Sequence, residues 1–244
     1  MDMFQFHFQP KVDVKSKQIL GYEILLRNKM QSPYYPASIM EEIINCQKKH
    51  ALFLQWFQKE LTELVKMFPT VKFSINLAPK QLLYNETHLF LTAMKSFRDQ
   101  LTIEITEAPI FFVESADFTT IEMVENSLEK AILSIKEKGY TLSLDDVGSG
   151  RNSLEQVLTY SKHIDQIKFS LIKCIHRGLD DETSYLFLKA WKSFAEAHQL
   201  ELIIEGIEDQ VTSDGIKEQG VHLQQGYHFG KPSKTIKTYK VYTK

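Results

Sequence analysis

Cysteine is scarce in this chain: Cys46 and Cys174 are the only two, and neither belongs to a CxxC pair. That excludes a disulfide framework and a thiolate metal site, and it suits reduced, buried thiols in a cytoplasmic protein. Long apolar runs are missing as well; none approaches the ~18 residues that a membrane-spanning helix needs. The opening MDMFQFHFQP has neither the basic nor the apolar region of a secretory signal. Neither sign of charge dominates, since 29 lysines and arginines face 31 acidic residues for a formal net charge of -2. A nonspecific binder of duplex DNA, RNA or another polyanion is therefore not expected. Glycine and proline number 10 and 7 in 244 residues. No stretch rich in them marks a linker, so one domain is expected over 1–244. The chain also lacks a GxxxxGK(S/T) phosphate loop, a GxSxG nucleophile elbow, and HxH or HExxH spacing. Nucleoside triphosphate hydrolysis, serine-nucleophile catalysis and a histidine zinc site are not indicated. Each histidine is read as a surface or satisfied core residue.

What is present is an ordinary globular balance, 43% hydrophobic and 25% charged. Two apolar-rich runs, Phe4 to Val12 and Ile19 to Leu26, flank the polar connector Asp13 to Gln18 and predict a hairpin. A long amphipathic stretch from about Ala37 to Phe68 follows, with Leu52, Trp56, Leu61, Leu64, Val65 and Phe68 at helical spacing. Strand-like runs then recur at Val71–Leu77, Leu101–Thr106, Tyr140–Asp145, Asp165–Phe169, Leu202–Ile207 and Val221–Gln225. Amphipathic stretches separate most of them, clearest in Ile121–Lys138 and Tyr185–His198. This alternation predicts right-handed crossovers and a parallel sheet. With the hairpin, the runs make eight strand candidates, which favours a closed α/β barrel over an open sheet. The tail after Pro232, with Lys234, Lys237, Lys240 and Lys244, is read as a solvated basic end, with docking to nucleic acid or membrane as the alternative.

The chemistry collects where the apolar runs end. Glu23 lies in Gly21-Tyr22-Glu23-Ile24-Leu25, and Phe73-Ser74-Ile75-Asn76 ends in an amide. Glu104 and Glu107 come from the run beginning at Leu101, and Asp145-Asp146 closes another before Val147-Gly148-Ser149-Gly150. Lys168, Glu205 and the amides Gln224 and Gln225 end the remaining runs. Charges at strand ends are costly to bury unless paired or bound to metal. A single one suits a structural ion pair, but a set converging on the C-terminal face of a barrel suits catalysis. Hard oxygen donors favour Mg2+ or Mn2+ over zinc. Adjacent carboxylates such as Asp145 and Asp146 can reach two ions, as displacement at phosphorus uses. Taken alone, that pair also reads as a turn before a glycine loop.

In order, the segments FQPKVDV, YEILLR, FSINLAPKQL, LTIEITE, LSLDDVGSG, DQIK, IIEGIED and QQGYHFGKP resemble the EAL domain family, with likeness running from about Phe8 to Pro232. The resemblance implies a (β/α)8 TIM-like barrel with an aberrant antiparallel first strand. It implies hydrolysis of cyclic di-GMP to linear pGpG, by in-line attack of water with two divalent ions. Glu23, Asn76, Glu104 and Asp145 match the family's ligands for the first metal, and Asp146 and Glu205 match its second-metal region, with Asp145 as the bridge. Lys168 matches the lysine that orients or activates water, and Glu107 the glutamate that supports the loop after the Asp pair. Gln9, Leu25, Arg27 and Gln225 match substrate contacts, the arginine fork suiting a phosphate. A stand-alone domain is expected, and a homodimer is the family's common default. Two departures stand out: Ile24 replaces a small residue, and Ser170 replaces an Asp two positions after the lysine. A serine supplies no carboxylate, which raises the alternative of a weakened member acting as a cyclic di-GMP receptor or protein-interaction module.

Overall fold

A computed structural model describes residues 3–30, 34–110, 121–176 and 178–236. Eight strands close a barrel in sequence order: β1 (Phe4–Asp13), β2 (Gln18–Asn28), β3 (Phe73–Leu77), β4 (Leu101–Ile105), β5 (Thr141–Leu144), β6 (Gln166–Ser170), β7 (Glu201–Glu205) and β8 (Leu223–Gln225). β1 runs antiparallel to both β2 and β8, while every pairing from β2 through β8 is parallel. The expected architecture, including its reversed first strand, is the observed one. The hairpin turn is held by Asp13, whose carboxylate accepts from the Lys15 amide at 2.8 Å.

Around the barrel lie α1 (Ala37–Asn45), α2 (Gln47–Met67), α3 (Pro79–Leu82), α4 (Asn85–Ala93), α5 (Ile121–Glu137), α6 (Leu154–Tyr160), α7 (Leu171–His176), α8 (Asp181–His198) and α9 (Gln210–Glu218). The stretch expected as one helix from Ala37 is two, because Cys46 adopts extended backbone between them, with φ -125° and ψ 106°. Ser153, Asp180 and Asp209 cap α6, α8 and α9 by accepting amide hydrogens of their first turns. Val71, Tyr140 and Val221 were expected inside strands but lie just before them. Tyr140 and Val221 are buried without ladder pairing, so packing alone accounts for their place in the apolar pattern. Neither Cys46 nor Cys174 forms a disulfide, and both are half-buried rather than deep in the core. Lys234 is exposed; Lys237, Lys240 and Lys244 fall outside the described residues.

The alternation along each strand sorts the two faces of the barrel. Ile75, Ile103, Leu142, Leu144, Ile167 and Ile204 are buried in the apolar core. From α5, Leu128, Ile132 and Ile135 join it at helical spacing, each contributing about 1.5–3 kcal/mol by burial. The intervening positions Ser74, Asn76, Thr102, Glu104, Ser143 and Lys168 carry polar groups and face the barrel axis. Barrel interiors are ordinarily filled by branched apolar residues. Here the polar layer is held by ion pairs and hydrogen bonds among its own side chains. An aromatic group from β1 and α2 packs beside the hairpin, with Phe4 edge-on to Phe53 at a centroid distance of 5.9 Å.

Candidate active site

The polar layer converges on one ammonium. Lys168 lies in β6 and is 0% exposed. Its Nζ stands 2.5 Å from Glu205 Oε1, 2.7 Å from Glu104 Oε2, 3.2 Å from Asp145 Oδ1 and 3.6 Å from Glu23 Oε2. Each carboxylate comes from a different strand or strand end, so closure of the barrel creates the cluster. Glu23 and Asn76 are tied together, since Asn76 Nδ2 donates to Glu23 Oε1 at 2.6 Å. Gln225 Nε2 donates to Glu23 Oε2 at 2.6 Å and lies 3.4 Å from Gln9 Oε1. The antiparallel reversal of β1 places Gln9 opposite Glu23, and Lys11, two residues on, pairs with Glu104.

A second group gathers at the loop after β5. Asp146 has left-handed backbone, φ 51°, which Asp adopts more readily than most residues. That conformation turns its carboxylate toward Glu107, and oxygens of Glu107, Asp145 and Asp146 lie within 4.8 Å of one another. Lys173 of α7 pairs with Asp146 and, at 2.8 Å, with Glu107. The Glu107 carbonyl accepts from the Arg151 amide at 3.1 Å. Gly150, with φ +50°, lies against the same carbonyl, where an added Cβ would stand 2.4 Å from the oxygen.

Charge and burial push these groups apart in acidity. Burial raises Glu104, but Lys11 and Lys168 outweigh it and hold the carboxyl at about 2. Burial raises Glu205 to about 7, with Lys168 opposing and Glu23 adding to the rise. Asp145 is pushed well above its ordinary range by burial, and Glu205, Glu104 and Glu23 add to this against Lys168. Burial lowers Lys168, yet its carboxylate neighbours win and hold it well above its ordinary value. Six carboxylates here face the three ammonium groups of Lys11, Lys168 and Lys173. This excess of acidic groups is offset by protonation, as the raised Glu205 and Asp145 show, or by a further cation. Two buried oxygens, Asn76 Oδ1 and Asp146 Oδ1, have no hydrogen-bond partner. Like the carboxylates of Glu23, Glu104 and Asp145, they are hard oxygens of the kind that suits Mg2+ or Mn2+; among the described residues, the carboxylates close enough together to share one ion are Glu107, Asp145 and Asp146.

The remaining candidates spread around the mouth. Gln9, Gln225, Asp146 and Glu205 line a cleft of about 430 Å3 with Glu23, Lys168 and Ser170. Leu25 and Asn76 line a neighbouring cleft. Arg27 lines neither; it is half-buried and donates to the Leu26 carbonyl at 2.9 Å, leaving Nε without a partner. Ser170 faces the same cleft as Lys168, opposite Glu205 in register. Lys11, Lys173 and Asn152 were not singled out from the sequence. Asn152 donates to the Ile105 carbonyl at 3.1 Å and also to that of Asp145. Among the histidines, His7 Nε2, His50 Nδ1 and His222 Nδ1 are buried without a partner and depart from the satisfied-core reading; the other ring nitrogen of His50 meets Gln81 at 3.1 Å.

A closed, mostly parallel barrel with an acidic cluster at its C-terminal strand ends defines the class as (β/α)8-like barrel proteins. The pattern of the EAL domain matches residues 2–232, and the chain belongs to that family. It is 25% identical over 245 or fewer residues to several curated relatives, among them the cyclic di-GMP phosphodiesterase RocR of Pseudomonas aeruginosa, covering 94% of this chain and 57% of that protein. It spans less than two thirds of the curated relatives it matches, 44% of one and 27% of another. A standalone versatile EAL protein from Vibrio cholerae O395, solved with c-di-GMP, is 25% identical with a TM-score of 0.73, covering 96% of this chain and 94% of that one. BlrP1 of Klebsiella pneumoniae, solved with manganese and c-di-GMP, shares the fold at 21% identity and a TM-score of 0.74, covering 95% and 56%. No helix among the described residues is long and apolar enough to cross a membrane.

Proposed function

We propose that this chain hydrolyses cyclic di-GMP to linear pGpG in a reaction that requires Mg2+ or Mn2+. The observation that carries the reading is the convergence of Glu23, Glu104, Asp145 and Glu205 on Lys168, beside the unpartnered oxygen of Asn76. Glu23, Asn76, Glu104 and Asp145 would hold the first ion, and Asp146 and Glu205 face the second position. A divalent ion there supplies acidified water and offsets charge on the phosphoryl oxygens.

The protein's own groups do the rest. Water adds to one phosphorus, the 3′ oxygen leaves, and the ring opens with a 3′ hydroxyl and a 5′ phosphate. Lys168, fixed by four carboxylates, orients water and stabilises negative charge as it builds. Glu205, held against Lys168 at the cleft, is placed to take and return a proton. Gln225 and Gln9 present amides at the cleft, Leu25 offers apolar contact to a base, and Arg27, whose charge is felt by the cleft residues Tyr227 and Glu23, would turn its fork to a phosphate. Glu107 keeps the loop carrying Asp146 in place.

A second reading, a receptor that binds cyclic di-GMP without cutting it, is favoured by Ser170, which brings no carboxylate to the mouth. Purified protein incubated with cyclic di-GMP and Mn2+, followed by chromatography of the nucleotides, separates the two. The phosphodiesterase reading expects pGpG. Tight binding with no pGpG at micromolar enzyme would replace it with the receptor reading.

A further inference from the structure

The second-cation side of the mouth already contains a positive charge. Asp146 is 7% exposed, and one of its oxygens pairs with Lys173 Nζ while the other has no partner. The same ammonium lies 2.8 Å from Glu107 Oε1, and Glu107, Asp145 and Asp146 are close enough together to share one cation. Lys173 stands three residues beyond Ser170, where β6 passes directly into α7, and its amide points to Ser170 Oγ at 3.4 Å. A turn of chain therefore brings the lysine back over the cleft that Ser170 lines. The serine is short and uncharged. It brings to the cleft no carboxylate that would help hold a divalent ion.

We propose that the Lys173 ammonium occupies the second-cation position, so that the mouth binds a single divalent ion on the side of Glu23, Asn76, Glu104 and Asp145. This rests on the metal-dependent reading above and changes its count of ions. The second positive charge facing the phosphodiester is then supplied by the protein, on a tether. An ammonium donates hydrogen bonds to carboxylate or phosphoryl oxygens but brings no open coordination positions for water, so the two positions are chemically unequal. The lysine side chain is 40% exposed, so it reaches in from the rim and is replaceable without opening the core.

The test is Mn2+ binding at equilibrium, read from the electron paramagnetic resonance signal of free Mn2+, for the wild type, Lys173→Met and Lys173→Gln. Thermal unfolding of each verifies folding. The wild type is expected to bind one Mn2+ per chain, and both variants a second, weaker one. Two ions on the wild type, or a single ion on both variants, would overturn the proposal and leave the metal-dependent reading standing. No ion on any of the three would remove that reading and the proposal with it.

Discussion

Replacing Lys168 with methionine tests how the polar interior is held together. The side chain is fully buried and lies within 4.0 Å of four carboxylates, so methionine keeps the volume and deletes the shared counter-charge. A unit charge pair about 4 Å apart interacts by about 4 kcal/mol at the effective dielectric of a protein. Removing one partner of a buried pair typically costs about 3–5 kcal/mol. For a chain of this size each kcal/mol shifts Tm by about 2–4 °C, so a fall of about 6–20 °C is expected in chelator. The pH dependence has a definite sign. Without the lysine, Glu205 and Asp145, already raised by burial, rise further and bind protons in the folded state that the unfolded chain has released. Stability then falls as pH increases through that window, and the deficit against the wild type grows from acid to neutral pH. Saturating Mn2+ should restore more to the variant than to the wild type, because the ion replaces the missing charge. Melting curves are measured by circular dichroism with chelator and with Mn2+. Superimposable wild-type and Lys168→Met curves in chelator at neutral pH would refute the reasoning.

Three further outcomes are expected. Combining Ser170→Asp with Lys173→Met puts a carboxylate where the mouth lacks one, and isothermal titration should show the second Mn2+ binding more tightly than in Lys173→Met alone; equal affinity would exclude Ser170 from the argument. Burial lowers His50 from 6.5 to about 4, with Glu86 opposing, so its neutral ring favours the fold. That contribution is fully present above 6.5 and is lost as pH falls toward about 4, amounting to about 3 kcal/mol. Urea unfolding across the window should show the loss in the wild type and a smaller one in His50→Gln. Gly150→Ala meets both a left-handed backbone and the Glu107 carbonyl. It should lower stability by about 1–3 kcal/mol and reduce cyclic di-GMP turnover, and a variant with unchanged urea midpoint would contradict the packing.

Much of this site was legible because its residues break an apolar pattern. Glu104 stands among Leu101, Ile103 and Ile105, and Lys168 between Ile167 and Phe169, so each announces a polar face in a buried strand. The reversed first strand was legible as a hairpin preceding a regular alternation. Lys11 and Lys173 were not, for a physical reason. Each pairs with a carboxylate far along the chain, Glu104 and Asp146, and looks in isolation like a solvated surface lysine. Only closure of the barrel and the turn of α7 bring those charges together. The break at Cys46 was hidden as well, since neither proline nor glycine marks it. Arg27 donates to the Leu26 carbonyl and its charge is felt by Tyr227 and Glu23 of the cleft.

The claim on which everything else depends is that Glu23 and its partners hold an ion needed for cleavage. It is tested by the rate of pGpG formation as a function of free Mn2+, for the wild type and Glu23→Ala side by side. Loss of an outer partner of a metal site costs about 10–100-fold, so loss of a ligand should cost at least about 100-fold, with Mn2+ affinity falling in parallel. Turnover in the wild type that needs Mn2+ and is abolished in Glu23→Ala is the predicted result. Equal turnover in the two proteins, or turnover that persists in excess chelator, would contradict the account.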